Sequence, residues 1–237
     1  MDIFTFELEG ALSASGCPLC RVEAIDEQRW METFVREGYR DPGARRRFVA
    51  GRGFCPAHAE LLLRISAERD ATAVVVAVCS RLVDEDIVRL RDGNGRSWRG
   101  RRRVRVHRDS RACAACDARR LSADRKCYFF CKALADEATQ ARYRSGGGLC
   151  APHFSRVMTE AAREFPELPA LLRDDQLQRL AALRRGLSEF ERKRDYRYHE
   201  EEGGGEEQRA PRDTLLHYAG TTWPPASLPA RSDTRGT

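Results

Sequence analysis

The sequence predicts an all-α protein made of two pseudo-repeated helical halves, each with a Cys3His zinc-knuckle-like site. Three observations lead to this prediction: a repeated pattern of cysteine and histidine, apolar residues that recur with a helical period, and Gly- and Pro-rich turns between the helical stretches. A chain of 237 residues can form a substantial core. Its nine cysteines are therefore not needed as disulfide staples, and they indicate metal or redox chemistry instead.

The cysteines and histidines define an internal repeat. Each copy has a Cys-x-x-Cys pair followed by a Gly-x-Cys-x-x-His segment, with 34 residues between the two pairs in the first copy and 33 in the second. Chance is a poor explanation for this agreement in spacing. The eight candidate metal ligands are Cys17, Cys20, Cys55 and His58 in the first copy, and Cys113, Cys116, Cys150 and His153 in the second.

Two closely spaced ligand pairs suit a tetrahedral Zn²⁺ ion, so the sequence predicts two zinc ions held in closed, structural sites. The spacing leaves open whether each quartet closes within its own copy or exchanges ligands with the other copy. A Cys-x-x-Cys pair at the start of a helix is also typical of a thiol-redox site, although no βαβ pattern precedes Cys17. A catalytic zinc would keep an open coordination position, which four ligands per copy do not favour.

The helices follow from the apolar period and end at turn residues. The first begins after Cys20 and ends at Gly38, before the Asp-Pro-Gly turn at 41–43, and Pro166 and Pro169 break the chain before the last helix. The valines at 74–76 would also suit a strand. The predicted helices cover residues 21–37, 44–49, 56 onward, 71–91, 117–138, 151–164 and 170–193.

Three cysteines lie outside the ligand pattern. Cys127 and Cys131 share one helix face and align in the repeat with Met31 and Val35, and Cys79 lies in an apolar run, so all three are predicted to be core residues. The alternative for Cys127 and Cys131 is a third or expanded metal site in the second copy.

The repeat and the composition together divide the chain into four parts. Residues 1–91 form the first zinc-binding repeat, 92–112 an Arg-rich linker, and 113–194 the second repeat. Residues 195–237 form a largely disordered tail that allows a short helix at 212–219. The linker holds eight Arg and two Asp, so its own charge of +6 equals the net charge of the whole chain. The remaining residues are neutral overall, with 34 basic and 34 acidic side chains.

The charge distribution and hydropathy bear on partners and compartment. The Arg-rich stretch Arg96–Arg111 could contact nucleic acid, but no recognised reading motif accompanies it, and a solvated connector is favoured. The longest apolar run, residues 73–78, is too short to span a bilayer, and the N-terminus lacks the pattern of a secretory signal. We therefore expect a cytoplasmic protein with a protein partner; the oligomeric state is left open.

The paired motifs also carry a resemblance. The segments CPLC with DPGARRRFVAGRGFCPAHAELL, CAAC with ADEATQARYRSGGGLCAPHFSRVM, and KRDYRYHEEE resemble an uncharacterised bacterial domain family with two Cys-x-x-Cys and Gly-x-Cys-x-x-His units. The resemblance extends from about Phe6 to Gly220. It implies a mostly helical protein without established activity, with metal ligands at the eight positions named above.

Because no catalytic constellation accompanies the eight ligands, the sequence favours a non-enzymatic zinc-binding protein that acts as an interaction or adaptor module. The first alternative is a thiol-redox or zinc-redox switch that uses the Cys-x-x-Cys pairs. The second is nucleic-acid binding through the Arg-rich linker.

Overall fold

A computed structural model describes residues 3–92, 113–198, 201 and 205–220, and within these ranges the chain is helical, with no strand. The prediction of an all-α fold is therefore confirmed. A π-helical turn spans Phe34–Gly38, and a 3₁₀ turn spans Tyr196–Tyr198. The helices are α1 (Ile3–Leu12), α2 (Pro18–Thr33), α3 (Pro42–Ala50), α4 (Pro56–Glu68), α5 (Thr72–Asp92), α6 (Ala114–Ala133), α7 (Glu137–Ser145), α8 (Ala151–Glu164), α9 (Leu168–Lys193) and α10 (Gly205–Ala219).

Helices α1 and α7 were not predicted, and the bounds of α6 and α10 differ from the predicted ones by several residues. Helix α1 was not predicted, although Leu8 and Leu12, four residues apart, are both buried. The helix predicted over 117–138 ends at residue 133, because Asp136 caps a separate helix, α7, by accepting a hydrogen bond from the Thr139 N–H at 2.8 Å. The short helix that the tail allowed at 212–219 begins earlier, at Gly205.

The chain forms two compact units: residues up to 24 with those from 123 onward, and residues 25–122. These units do not follow the two sequence copies, since each contains residues of both. The division predicted from the repeat, with boundaries near residues 91 and 113, follows sequence similarity rather than compactness, and it stays a prediction.

The unit formed by residues 25–122 has an aromatic core. Phe34 packs against Phe48 and Phe54, with ring centroids 6.0 and 5.1 Å apart, and Trp30 stacks on Phe34 at 5.7 Å. Met31 is completely buried beside them. Burying several large rings in one cluster supplies much of the hydrophobic stabilisation of such a small unit.

The other unit has a larger apolar core that includes two of the unassigned cysteines. Cys127 and Cys131 are 2% and 0% exposed and pack with Phe130, Val157 and other apolar residues, as predicted for core positions. Burial raises the pKa of the Cys131 thiol to about 12, which keeps it protonated. These two cysteines therefore behave as small apolar residues.

The prediction that Cys79 is a core residue is wrong. Helix α5 buries Val74 and Val78, and Cys79 is exposed because it lies about 100° further around the helix than Val78. An apolar run indicates that a segment packs against something, but it does not show which of its residues face the core.

Helix α10, in the predicted tail, packs against α9. The Lys193 ammonium donates to the Glu207 carboxylate at 2.7 Å, and Glu207 and Ala210 are both buried. Ala210 lies so close to Gly186 that a Cβ at Gly186 would be 2.8 Å from that of Ala210. Acidic, Gly-rich composition therefore concealed a helix that packs closely against α9.

Two sequence-based predictions concern residues outside the described part of the chain. The first is the Arg-rich linker, residues 92–112, which includes the proposed nucleic-acid segment Arg96–Arg111 and is described only at its first residue. The second is the end of the tail, residues 221–237. Among the residues that are described, no helix is both long and apolar enough to cross a membrane.

Candidate metal centres

The eight predicted ligands form two clusters that each combine one pair from either copy. Site 1 joins the first Cys-x-x-Cys pair to the second Cys-x-x-His pair, and site 2 joins the inner two pairs. Of the two arrangements that the sequence left open, the chain adopts the one with exchanged ligands. Site 1 consists of Cys17, Cys20, Cys150 and His153, and site 2 consists of Cys55, His58, Cys113 and Cys116.

In site 1 the three thiols surround one imidazole nitrogen. The Nδ1 atom of His153 lies 3.2 Å from the Sγ of Cys150, 3.3 Å from that of Cys20 and 3.5 Å from that of Cys17. The Sγ atoms of Cys20 and Cys150 are 3.6 Å apart. All four residues are buried, so the cluster lies inside its unit and not on its surface.

Site 2 repeats this geometry in the other unit. The Nδ1 atom of His58 lies 3.1 Å from the Sγ of Cys55, 3.4 Å from that of Cys116 and 3.6 Å from that of Cys113. The Sγ atoms of Cys55 and Cys116 are 3.8 Å apart. Cys55 and Cys116 are only partly buried, so site 2 is the more accessible of the two.

These distances fit a tetrahedral metal site and not a disulfide. Ligand bonds of about 2.3 Å for sulfur and about 2.0 Å for nitrogen place tetrahedral donors about 3.8 Å apart for two sulfurs and about 3.5 Å apart for sulfur and nitrogen. The ligand atoms of each cluster lie within 4.8 Å of one another. A disulfide would need sulfurs about 2.05 Å apart. None of the nine cysteines, all of which lie in the described ranges, forms a disulfide.

Helix starts position both pairs of each site. The first cysteine of each pair comes directly before the first residue of a helix, and the second residue of the pair lies in the first turn of that helix. Cys55 and Cys150 are the N-cap residues of α4 and α8, and neither side chain makes a capping hydrogen bond. The positive end of the helix dipole favours a thiolate there. Each site therefore combines two helix N-termini with three potential anions.

Glycines allow the two turns of site 1 to approach closely. Gly148, two residues before Cys150, has a φ of +71°, and Gly53 in the equivalent position of site 2 has a φ of +88°. A side chain at Gly147 would collide with the backbone of Gly16, which precedes the first cysteine of site 1. The Gly-x-Cys motif is thus a steric requirement of the site.

A partly buried ion pair anchors the Gly-rich turn of site 1. The Arg179 guanidinium donates to the Gly146 carbonyl at 2.8 Å and to the carbonyls of Tyr143 and Arg144, both at 3.1 Å. It also donates to the Asp175 carboxylate at 2.7 Å. Helix α9, which carries both members of the pair, therefore fixes the turn that leads into Cys150.

Two glutamates that the sequence reading did not single out complete the sites. The Nε2 atom of His153 lies 3.2 Å from an oxygen of Glu23, and that of His58 lies 3.7 Å from an oxygen of Glu27. A metal-bound histidine commonly donates its second nitrogen to a carboxylate, which fixes the ring and its tautomer. Arg119 pairs with Glu27 at 2.9 Å and Arg156 lies 3.7 Å from Glu23.

The thiols of each site compete for ionisation. In site 1, burial raises the pKa of the Cys17 thiol well above its usual range, whereas hydrogen bonds with the other two thiols lower that of Cys20. In site 2, burial acts against ionisation of Cys113, but hydrogen bonding to the imidazole lowers its pKa to about 6. Burial and neighbouring thiolates raise the pKa of Cys116 to about 12. A divalent cation would let all three thiols of a site ionise together.

The imidazoles respond to these anions. Burial opposes protonation of His153, but hydrogen bonds with Cys150, Cys20 and Glu23 raise its pKa to about 12. Burial likewise opposes protonation of His58, and hydrogen bonds with Cys113, Glu27 and Cys55 raise its pKa to about 10. Each imidazole thus balances negative charge that a bound metal ion would balance instead.

Site 1 is covered on one side by the end of α10. A Cβ added at Gly220 would lie 3.5 Å from the Sγ of Cys20 and 3.8 Å from that of Cys150. Gly220 has a φ of +79° and donates its N–H to the Leu216 carbonyl, which ends the helix. The nearby His217 lies 3.2 Å from Gln176 of α9. Helix α10 therefore limits access to the thiols of site 1.

The fold and the sites define a class: an all-helical protein with two Cys3His clusters that could hold metal ions. Comparison with protein families assigns the chain to a particular family. It belongs to the family of unknown function DUF6062, whose sequence profile matches residues 1–212, which confirms the resemblance to an uncharacterised family. Searches of curated proteins and of solved structures found no match.

Proposed function

We propose that the protein is a non-enzymatic zinc-binding protein that holds one structural Zn²⁺ ion in each site and acts as an interaction or adaptor module. The observation that carries the proposal is the closed donor set: three thiols and one imidazole nitrogen at tetrahedral spacing, twice in one chain. Its family has no assigned function, so the proposal rests on the sites themselves.

Zinc is the metal that suits these donors best. Three sulfurs and one nitrogen in a tetrahedron are typical of Zn²⁺, whereas Mg²⁺ and Ca²⁺ require oxygen ligands. A carboxylate on the second nitrogen of each histidine is also the usual partner of a zinc-bound imidazole. The expected metal content is therefore two zinc ions per chain.

A structural role is favoured over a catalytic one because the protein fills all four coordination positions of each site. A catalytic zinc retains a position for water or substrate, and a nearby carboxylate acts as a base. The carboxylates nearest the sites, Glu23 and Glu27, instead face the imidazoles and pair with arginines. Their geometry supports orientation of the ligands and not proton transfer to a substrate.

We place the protein in the cytoplasm with a protein partner. None of the nine cysteines forms a disulfide, which suits a reducing compartment and would be unusual in an oxidising one. Large apolar side chains are exposed on the described helices, including Leu121 at 86% and Leu215 at 71%, and such residues can form contacts with another protein. Nucleic-acid binding through Arg96–Arg111 remains a prediction from the sequence.

Metal analysis of the native protein tests the proposal. We expect two equivalents of zinc per chain after purification without added chelator, and three reactive thiols or fewer before the metal is removed. Removal of zinc should expose the six ligand thiols to a thiol reagent. A metal-free native protein in which all nine thiols react at once would refute the proposal.

A zinc-redox switch is the second candidate, and the exposure of site 2 favours it. Cys55 and Cys116 are only partly buried, in contrast to the buried ligands of site 1. Hydrogen peroxide would oxidise the Cys113 and Cys116 thiols to one disulfide, and the zinc would be released. Two electrons and two protons would pass from the thiols to the peroxide, which would give two water molecules. Mass spectrometry after mild oxidation should then find a Cys113–Cys116 disulfide that dithiothreitol reverses. An unchanged site 2 across physiological potentials would exclude the switch.

A further inference from the structure

Helix α5 has a second apolar face in addition to the one that packs in its own unit. Val74 and Val78 are buried, and both lie in the first third of the helix. Beyond Val78, each described side chain of α5 is exposed or only partly buried. Beyond Val78 the helix still contacts its own unit through the partly buried Leu82 and through the ion pair of Asp86 with Arg52, while a second face is exposed.

The exposed part carries a continuous apolar stripe. Relative to Val83, at about 100° per residue, the members of the stripe fall within an arc of about 80°. The centre of this arc is about 160° from the direction of the buried valines. No charged side chain lies within it. The stripe consists of Val76, Cys79, Val83, Ile87 and Leu90, and its four members other than Cys79 are between 39% and 69% exposed.

The spacing of the stripe is symmetric about its middle residue. Successive members are separated by three, four, four and three residues, which is the spacing of a helix–helix seam. Two copies placed antiparallel about a two-fold axis at Val83 bring Val83 against Val83 of the second copy. The same operation brings Val76 against Leu90 and Cys79 against Ile87. Each apolar residue of one copy thus meets an apolar residue of the other.

We propose that this stripe is a dimer interface, and that its partner is the same stripe of a second copy of the chain in an antiparallel helix pair. A two-fold interface must be self-complementary, and the palindromic spacing supplies that property directly. An unrelated helix would have to match the same spacing independently. The proposal concerns a surface outside both metal sites and does not depend on them.

The expected area places the dimer among small interfaces. A helix strip about 21 Å long and about 10 to 12 Å wide covers about 210 to 250 Å² in projection; because water is also excluded from the sides of the interlocking side chains, the accessible surface buried is roughly twice that, on the order of 500 Å² on each copy or about 1,000 Å² in total. That is the lower end for a specific interface and below the standard size of about 1,600 Å². We therefore expect a dimer with a Kd in the micromolar range that dissociates on dilution.

Matched substitutions on α5 test the interface. Val83→Asp places a charge in the centre of the stripe, whereas Val88→Asp makes the same change on the same helix about 140° away. The two valines are 56% and 53% exposed, so neither change should affect folding, which circular dichroism will check. Sedimentation equilibrium from about 1 to about 200 µM brackets a micromolar Kd. We expect dimers for the unchanged chain and for Val88→Asp, and at least a tenfold weaker association for Val83→Asp. A monomer at all concentrations, or equal association of the two variants, overturns the proposal.

Cross-linking tests the antiparallel register. In a Cys79→Ser background, a thiol introduced by Val83→Cys should link two copies through a short bismaleimide, whereas one introduced by Val76→Cys should not. Antiparallel pairing separates the two 76 positions by 14 residues, or about 21 Å. Equal linking by both variants indicates a parallel pair and overturns the register. If the chain is monomeric and native Cys79 reacts slowly with a thiol reagent, another segment of the same chain covers the stripe. That result overturns the dimer.

Discussion

Replacing two ligand cysteines at once by serine distinguishes exchanged ligand pairing from pairing within each copy. Cys20 and Cys55 belong to the same sequence copy but to different sites, so Cys20→Ser with Cys55→Ser should remove both metal ions. Cys20 and Cys150 belong to different copies but to the same site, so the corresponding double variant should retain one ion. Pairing within each copy reverses the two results. Single substitutions cannot separate the arrangements, because each removes one ion in either case.

The separation of the ligands along the chain sets the expected effect on stability. Site 1 links cysteines 130 residues apart, and site 2 links cysteines 61 residues apart. By the loop-closure relation used for cross-links, the closed sites lower the entropy of the unfolded chain by an amount equivalent to about 5 and about 4 kcal/mol, respectively, at 25 °C. Losing site 1 should therefore destabilise its unit strongly, while site 2, whose four ligands all lie in the other unit, keeps its ion.

The assay is zinc content per chain by elemental analysis after gel filtration, with helix content followed by circular dichroism. Cys79→Ser is the matched control, because it removes an exposed cysteine that belongs to neither site, and it should retain two ions. The reasoning is refuted if the Cys20/Cys55 double variant retains one ion while the Cys20/Cys150 double variant, with normal helix content, retains none.

Three further predictions concern the surroundings of the sites and the core. Glu23→Gln should weaken zinc binding at site 1 by about 10- to 100-fold and leave site 2 unchanged, because only the His153 imidazole loses its carboxylate; competition with a chromophoric chelator measures both affinities. Equal weakening of both sites would contradict this assignment. Deleting residues 205–220 should accelerate zinc release from site 1 relative to site 2, because the end of α10 covers site 1, and stopped-flow transfer to a chelator measures the two rates. Unchanged rates would show that α10 does not limit access. Phe34→Ala should lower the free energy of unfolding by about 3–5 kcal/mol in urea titrations, whereas Leu121→Ala, at an exposed position, should change it by less than about 0.5 kcal/mol. Similar losses for both would place Phe34 outside the core.

The sequence identified the residues that form the two clusters but not their pairing, for a chemical reason. Two Cys-x-x-Cys pairs and two Cys-x-x-His pairs can be grouped two by two in three ways, and two of these ways give two Cys3His sets with identical donors. The choice depends on packing across more than a hundred residues, which spacing does not encode. Site composition could be predicted, whereas site topology could not.

The supporting residues were hidden for a different reason. Glu23 and Glu27 lie in a helix with many charged residues, so they look like solvated side chains in the sequence. The available signal was position, since Glu23 follows Cys20 by one helical turn and can reach the same site. Helix α7 was also signalled in advance by Asp136, which is followed three residues later by Thr139 and acts as an N-cap.

Exchanged pairing places the two sites one inside the other along the chain, and this affects the order in which they can form during synthesis. The first Cys-x-x-Cys and the first Cys-x-x-His leave the ribosome long before residue 150 exists, and together they already form a complete Cys3His set. Under the proposed zinc binding, an ion that binds them early is held by the wrong partners. Correct assembly then requires ligand exchange after residue 150 has been made, so the rate at which zinc meets the nascent chain becomes a determinant of folding yield.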